Sequence, residues 1–70
     1  MDRTRVSSKN IRSIGYDEGS QTLEVEFTSG GIYDYAGVPK KLYQHFMAAP
    51  SKGSFFDSSI KDKYRTVKVR

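Results

Sequence analysis

Apolar Leu23, Val25 and Phe27 alternate strictly with Thr22, Glu24, Glu26 and Thr28. This period of two is the pattern of an antiparallel strand with one face buried and the other solvated. Ser29-Gly30-Gly31 then reverses the chain, and Ile32-Tyr33-Asp34-Tyr35-Ala36 returns as the second arm of a hairpin. Upstream, Asn10 to Tyr16 reads as a less regular strand, because Ile14 and Tyr16 share a face that Ile11 does not. A β-bulge or an edge position accounts for that break, and the turn formers Asp17-Glu18-Gly19-Ser20 end the strand.

The parity of the hairpin loop decides where two tyrosines point. With an odd loop of Ser29, Gly30 and Gly31, Phe27 faces Tyr33, Val25 faces Tyr35, and Asp34 sits beside Glu26 on the solvated face. An even loop turns the tyrosines toward the glutamates and buries Asp34. Burying an unpaired carboxylate costs several kcal/mol, against about 2 kcal/mol for exposing Ile32 and Ala36, so the odd loop is expected.

Helix follows. Pro39 suits a first helical position and Pro50 stops continuation past Ala49. Leu42, Phe46 and Ala49 form one stripe between them, with Tyr43 and Met47 alongside, so this helix covers the sheet. Ser54 with Asp57 three residues on resembles a capping box opening a short second helix, where Phe56, Ile60 and Tyr64 recur every four residues. Thr66 to Arg70 alternates weakly and reads as either a final edge strand or a tail. The fold expected is α+β: a three- or four-stranded antiparallel meander sheet packed against one main helix plus a short C-terminal helix, in the order β-β-β-α-α.

At 70 residues there is one core, and the boundaries expected are a flexible lead-in over 1–8 and one domain over 9–70. Five Tyr and four Phe supply bulk from few positions. Cysteine is absent, which excludes a disulfide scaffold and thiolate metal sites. No apolar run approaches membrane-spanning length and no apolar leader follows Met1, so a cytoplasmic protein with no membrane partner is expected.

The net charge of +4 is unevenly spread. Arg3, Arg5, Lys9 and Arg12 outweigh Asp2 in residues 1–12, and Lys61, Lys63, Arg65, Lys68 and Arg70 outweigh Asp62 in residues 61–70, while the middle is acidic. Basic ends suit a polyanion if folding brings them together; otherwise they only solvate the domain.

Candidate catalytic groups are few. His45 is the only histidine, so zinc would need scattered carboxylates, and a surface or boundary position is the simpler reading. Glu24 and Glu26 alternate onto the solvated strand face, where nothing raises a pKa for acid–base work. Gly30-Gly31 joins two strands rather than leading into a helix, unlike a phosphate-binding loop. No serine has an activating partner, so a hydrolase is disfavoured. Tyr33 and Tyr35 are either base-stacking platforms or core residues beneath the helix; tyrosine can also bury its ring and present its hydroxyl at a groove edge.

One ordered set of residues goes further. Ile14-Gly15-Tyr16-Asp17, Leu23-Glu24-Val25-Glu26-Phe27, Tyr33-Asp34-Tyr35, Val38-Pro39, and Gly53-Ser54-Phe55-Phe56 followed by Ile60 and Tyr64 together resemble the KTSC domain. That short module is named after its occurrence at the C-terminus of some lysyl-tRNA synthetases and is also found as free-standing bacterial proteins. The resemblance runs from about Ser8 to Tyr64, and the family's tyrosine-any-tyrosine motif falls on Tyr33 and Tyr35. It implies RNA as a class of partner and no mechanism.

The expectation is therefore a small non-catalytic binding module that uses Arg12, Lys40, Lys41, Lys52, Lys61, Lys63 and Arg65 on phosphates, with Tyr33 or Tyr35 nearby. The alternative is a protein-interaction module using an exposed edge strand or the Ile32 side of the sheet. No cofactor and no metal is expected, and the chain is expected to be a monomer.

Overall fold

A computed structural model describes all residues, Met1–Arg70. Five strands and two helices follow one another as β1 (Arg3–Arg5), β2 (Ile11–Asp17), β3 (Thr22–Phe27), β4 (Ile32–Ala36), α1 (Lys40–Ala48), α2 (Lys52–Ser59) and β5 (Arg65–Lys68). The sheet is an antiparallel meander in the order β1-β2-β3-β4-β5. The α+β architecture is the one expected, with five strands in place of three or four: β1 is the addition, and β5 is the final edge strand left open for Thr66 to Arg70. Arg3–Arg5 lies inside the stretch expected as a lead-in, yet it pairs with Ser13–Gly15, and the C-terminal residues pair with β4. Neither edge strand has a buried residue; β1 has no apolar residue at all, and β5 shows only the weak alternation around Val67.

One face of the sheet carries the helices. Ile11, Ile14, Leu23, Val25 and Tyr35 pack there against Val38, Phe46, Phe56 and Ile60. The irregularity expected in β2 is a register shift between Ile11 and Ser13, which lets Ile11 and Ile14 both enter the core. Tyr16 closes the far end: its hydroxyl donates to the Val38 carbonyl at 2.6 Å and its ring stacks on Tyr43 with centroids 4.7 Å apart. No helix is long and apolar enough to cross a membrane.

The β3–β4 hairpin keeps the expected parity at a different offset. Val25 stands opposite Tyr33, Leu23 opposite Tyr35, and Glu24, not Glu26, opposite Asp34. Phe27 N–H donates to the Gly31 carbonyl and Gly30 N–H to the Phe27 carbonyl, both at 2.9 Å, so the loop is Thr28-Ser29-Gly30. Gly30 takes φ +106°, the conformation that closes a three-residue turn of this kind and favours glycine. Odd loops differing by one position leave each side chain on the same face, which is why parity survived and offset did not.

Both helices begin away from where the sequence suggests, α1 one residue later and α2 three residues earlier. Pro39 precedes α1 as its N-cap rather than occupying its first position, and Ser51, not Ser54, caps α2, accepting from Ser54 N–H at 3.3 Å. α2 ends at Ser59, so Tyr64 reaches the core from a turn rather than from a third helical repeat.

Candidate functional site

At the Asn10 end of the sheet, the β3–β4 hairpin and α2 bound an open cleft of about 410 Å³. Its walls are aromatic: Phe27, Tyr33 and Tyr35 from the sheet, Phe56 from α2. The rings lock one another edge to face, Phe27 on Tyr33 at 5.8 Å, Phe27 on Phe56 at 5.3 Å and Tyr35 on Phe56 at 5.5 Å. Tyr35 and Phe56 are buried, whereas Phe27 and Tyr33 are only half-buried and form the part of the wall that water reaches. Asn10, Ser29, Asp57 and Lys61 rim the opening.

Both readings of the tyrosines therefore hold in part. Tyr35 belongs to the core, and burial first, then the nearby Tyr33 and Asp62, push its hydroxyl up to about 12. Tyr33 packs against the core from its margin and faces the cleft.

Of the cations expected to share one surface, the fold brings Lys61 into the cleft with Tyr33 and Tyr35 and disperses most of the rest. Arg12 lies on the opposite sheet face, 3.9 Å from Glu26 and donating to the Thr28 carbonyl at 3.4 Å. Lys40 pairs with Glu18 at 3.2 Å, at the Tyr16 end of β2. Lys41 is exposed on the first turn of α1, and Lys52 donates to the Ala49 carbonyl at 2.7 Å, closing the end of α1. Lys63 is exposed in the turn before β5. Arg65 pairs in register with Ala36, which places it on the face away from the helices. The assumed convergence of both chain ends does not occur, because β1 and β5 occupy opposite edges of the sheet. Lys68, absent from the expected set, stands opposite Tyr33 and on its face. The alternation of Thr66 and Lys68 against Val67 and Val69 carries that information once the strand is recognised.

The other sheet face is not the solvated surface expected for Glu24 and Glu26. Arg3 crosses it, its guanidinium 2.6 Å from Glu24 and 3.9 Å from Glu26, while its Nε donates to Ser13 Oγ at 3.1 Å. Ser13 in turn donates to Glu26 at 2.8 Å. Glu24 is buried beneath this network, and Ile32, expected to be exposed, is buried too. Asp34 Oδ1 is enclosed with no donor from the rest of the chain. Burial, then the neighbouring Glu24, raise Asp34 from 3.8 to about 6, so that below that pH it holds a proton it can offer to Glu24. For Glu24 burial works upward, but hydrogen bonds from Asp34 and Arg3, with the Arg3 charge, hold it below its ordinary 4.5.

The KTSC domain family model matches residues 7–64, a span that takes in the cleft walls, the rim and the hairpin. The chain belongs to the KTSC domain family. A KTSC domain protein from Yersinia pestis, known from its crystal structure, is 48% identical, with a TM-score of 0.97 over 99% of this chain and 97% of that one. An uncharacterised protein from Stutzerimonas stutzeri is 41% identical over 91% of this chain and 90% of its own length. A lysine–tRNA ligase from Nostoc punctiforme is 40% identical over 79% of this chain, which spans only 10% of that enzyme. The KTSC fold thus occurs as a small protein and as a minor segment of a ligase.

Proposed function

We propose that this KTSC domain is a non-catalytic RNA-binding module that seats an unstacked base in the aromatic cleft and holds adjacent phosphates with Lys61, Lys63 and Lys68. The observation carrying this reading is the convergence of Tyr33, Tyr35 and Lys61 on one open cleft. Half-exposed rings beside cations are what single-strand binders use, because every base has a stackable face and every linkage a charge. Arg12, Lys40 and Lys52 are left out of the interface because each is committed to a partner within the fold. Carriage of a similar segment by lysine–tRNA ligases, enzymes named for an RNA substrate, brings such a domain close to RNA.

With about three phosphate contacts, affinity is weak and falls with salt at a log–log slope of roughly −2. Amide NMR titration with a short single-stranded RNA tests this. Shifts at Asn10, Tyr33, Lys61 and Lys68 that fade as salt rises are expected, as is roughly tenfold weaker binding when Lys61, Lys63 and Lys68 are changed together to Ala. A spectrum unmoved by RNA at low salt refutes the reading.

A second reading, protein interaction, rests on the free edge of β5, where Val67 and Val69 are 54% and 51% exposed. An unpaired edge invites strand addition. Salt-insensitive shifts confined to β5 on adding a protein partner favour it over RNA.

A further inference from the structure

The rim of the cleft is chemically asymmetric. Asp57 lies in α2 and Lys61 just beyond it. The winding persists past the helix end, since Lys61 N–H donates to the Phe56 carbonyl at 2.8 Å, so both residues line the cleft about one turn apart. They are exposed, and neither is engaged in an ion pair, although the molecule pairs other acids with cations. The cleft thus offers a free carboxylate, a free ammonium and the Asn10 amide above an aromatic wall.

A free carboxylate is a poor neighbour for phosphate and a good acceptor for paired N–H donors. Among the four RNA bases only guanine presents two adjacent N–H donors, N1–H and the N2 amino group, with the O6 acceptor beside them. Both Asp57 oxygens can accept from that donor pair while Lys61 donates to O6, a cation-to-guanine contact common in nucleic-acid recognition. Adenine and cytosine offer an amino donor beside a bare ring acceptor, which leaves one carboxylate oxygen facing a lone pair. The cleft volume falls within the ~300–1,000 Å³ range of small-ligand sites.

Resting on the RNA reading above, we infer that the cleft prefers guanine in single-stranded RNA, with Asp57 reading its N1–H and N2 amino edge and Lys61, whose ammonium has three N–H donors, giving one to O6 and another to a phosphate.

The test compares uridine oligonucleotides carrying one central guanosine, adenosine or cytidine, titrated at low salt into the wild-type domain and into Asp57→Asn. The guanosine oligonucleotide is expected to bind roughly tenfold tighter than the other two. Asp57→Asn should erase that preference, so that the guanosine, adenosine and cytidine oligonucleotides bind alike. Salt-sensitive binding that is equal for all three bases overturns the inference and leaves the RNA reading standing. A guanosine preference that survives Asp57→Asn overturns it as well, since the carboxylate is then not the reader. If no oligonucleotide binds, both readings fall together.

Discussion

Arg3 reaches Glu24 across the space where Gly15 has no side chain. A Cβ on Gly15 would stand 2.7 Å from the Asp2 carbonyl oxygen and 2.9 Å from Arg3 Cγ, closer than real contacts allow. The 2.6 Å ion pair therefore depends on a glycine in the neighbouring strand.

Gly15→Ala is accordingly expected to dislodge β1 and cost about 1–3 kcal/mol, the usual range for a forced overlap in a packed region. Urea denaturation gives the value, and amide exchange at Arg3 and Arg5 shows whether the strand has left. An unchanged midpoint together with protected amides at β1 contradicts the packing described.

The Glu24–Asp34 pair sets a pH dependence. Asp34 has a folded value near 6 against an ordinary 3.8, so the folded protein holds its proton more tightly. Its contribution is complete below the unfolded value and is lost as pH rises from about 4 through 6. Glu24 has the opposite sign: its contribution is present above 4.5 and lost as pH falls through its lower folded value. Asp34→Asn, which keeps a donor for Glu24 without the charge, should remove the decline between pH 4 and 6 and raise stability at pH 7 by about 1 kcal/mol, with water screening reducing the full shift. Chemical denaturation across pH checks it; a variant that is less stable than wild type at pH 7 refutes the assignment.

Two tyrosines should respond differently to loss of the hydroxyl. Tyr16→Phe removes the bond to the Val38 carbonyl and is expected to cost about 1 kcal/mol. Tyr35 makes no hydrogen bond through its hydroxyl and holds its place by its ring against Phe56, so Tyr35→Phe is expected to change stability by less than about 0.5 kcal/mol. Thermal melts of the pair settle the ranking, and a reversed order is the disqualifying result.

Phe46 is fully buried and stacks on Phe55 with ring centroids 5.4 Å apart. Phe46→Ala should cost about 3–5 kcal/mol, a large share of what so small a domain has. Circular dichroism should show loss or a deep lowering of the cooperative transition. A fall in Tm under about 10 °C, equivalent to only 1–2 kcal/mol, is too small for the role assigned.

The three central strands and the helix between Pro39 and Pro50 were legible because alternation and proline act over a few residues. The hairpin shows where such reasoning stops: the cost of burying Asp34 selects a face, but a slip of two residues preserves every face and passes unnoticed. β1 escaped detection because Arg3-Thr4-Arg5 has no apolar residue, and its pairing depends on the gap at Gly15 in another strand. The burial of Glu24 followed unseen from the same omission.

Tyr33 and Tyr35 stand out in the sequence by their spacing on one strand and by the family motif, and Lys61 by its charge. Phe27, Phe56, Asn10 and Asp57 join them only through contacts between distant parts of the chain, which no local pattern encodes. The grouping of cations from both ends failed for a topological reason, since an unbroken meander sends its first and last strands to opposite margins.

That placement of the margins governs how the domain can be tethered. A polypeptide joined ahead of Met1 emerges beside β1, across the whole width of the sheet from Lys68. One joined after Arg70 starts where that residue bonds Ile32, next to Tyr33, and would crowd the mouth of the cleft from its first residues. An affinity tag or fluorescent partner is thus far less intrusive at the leading end than at the trailing one.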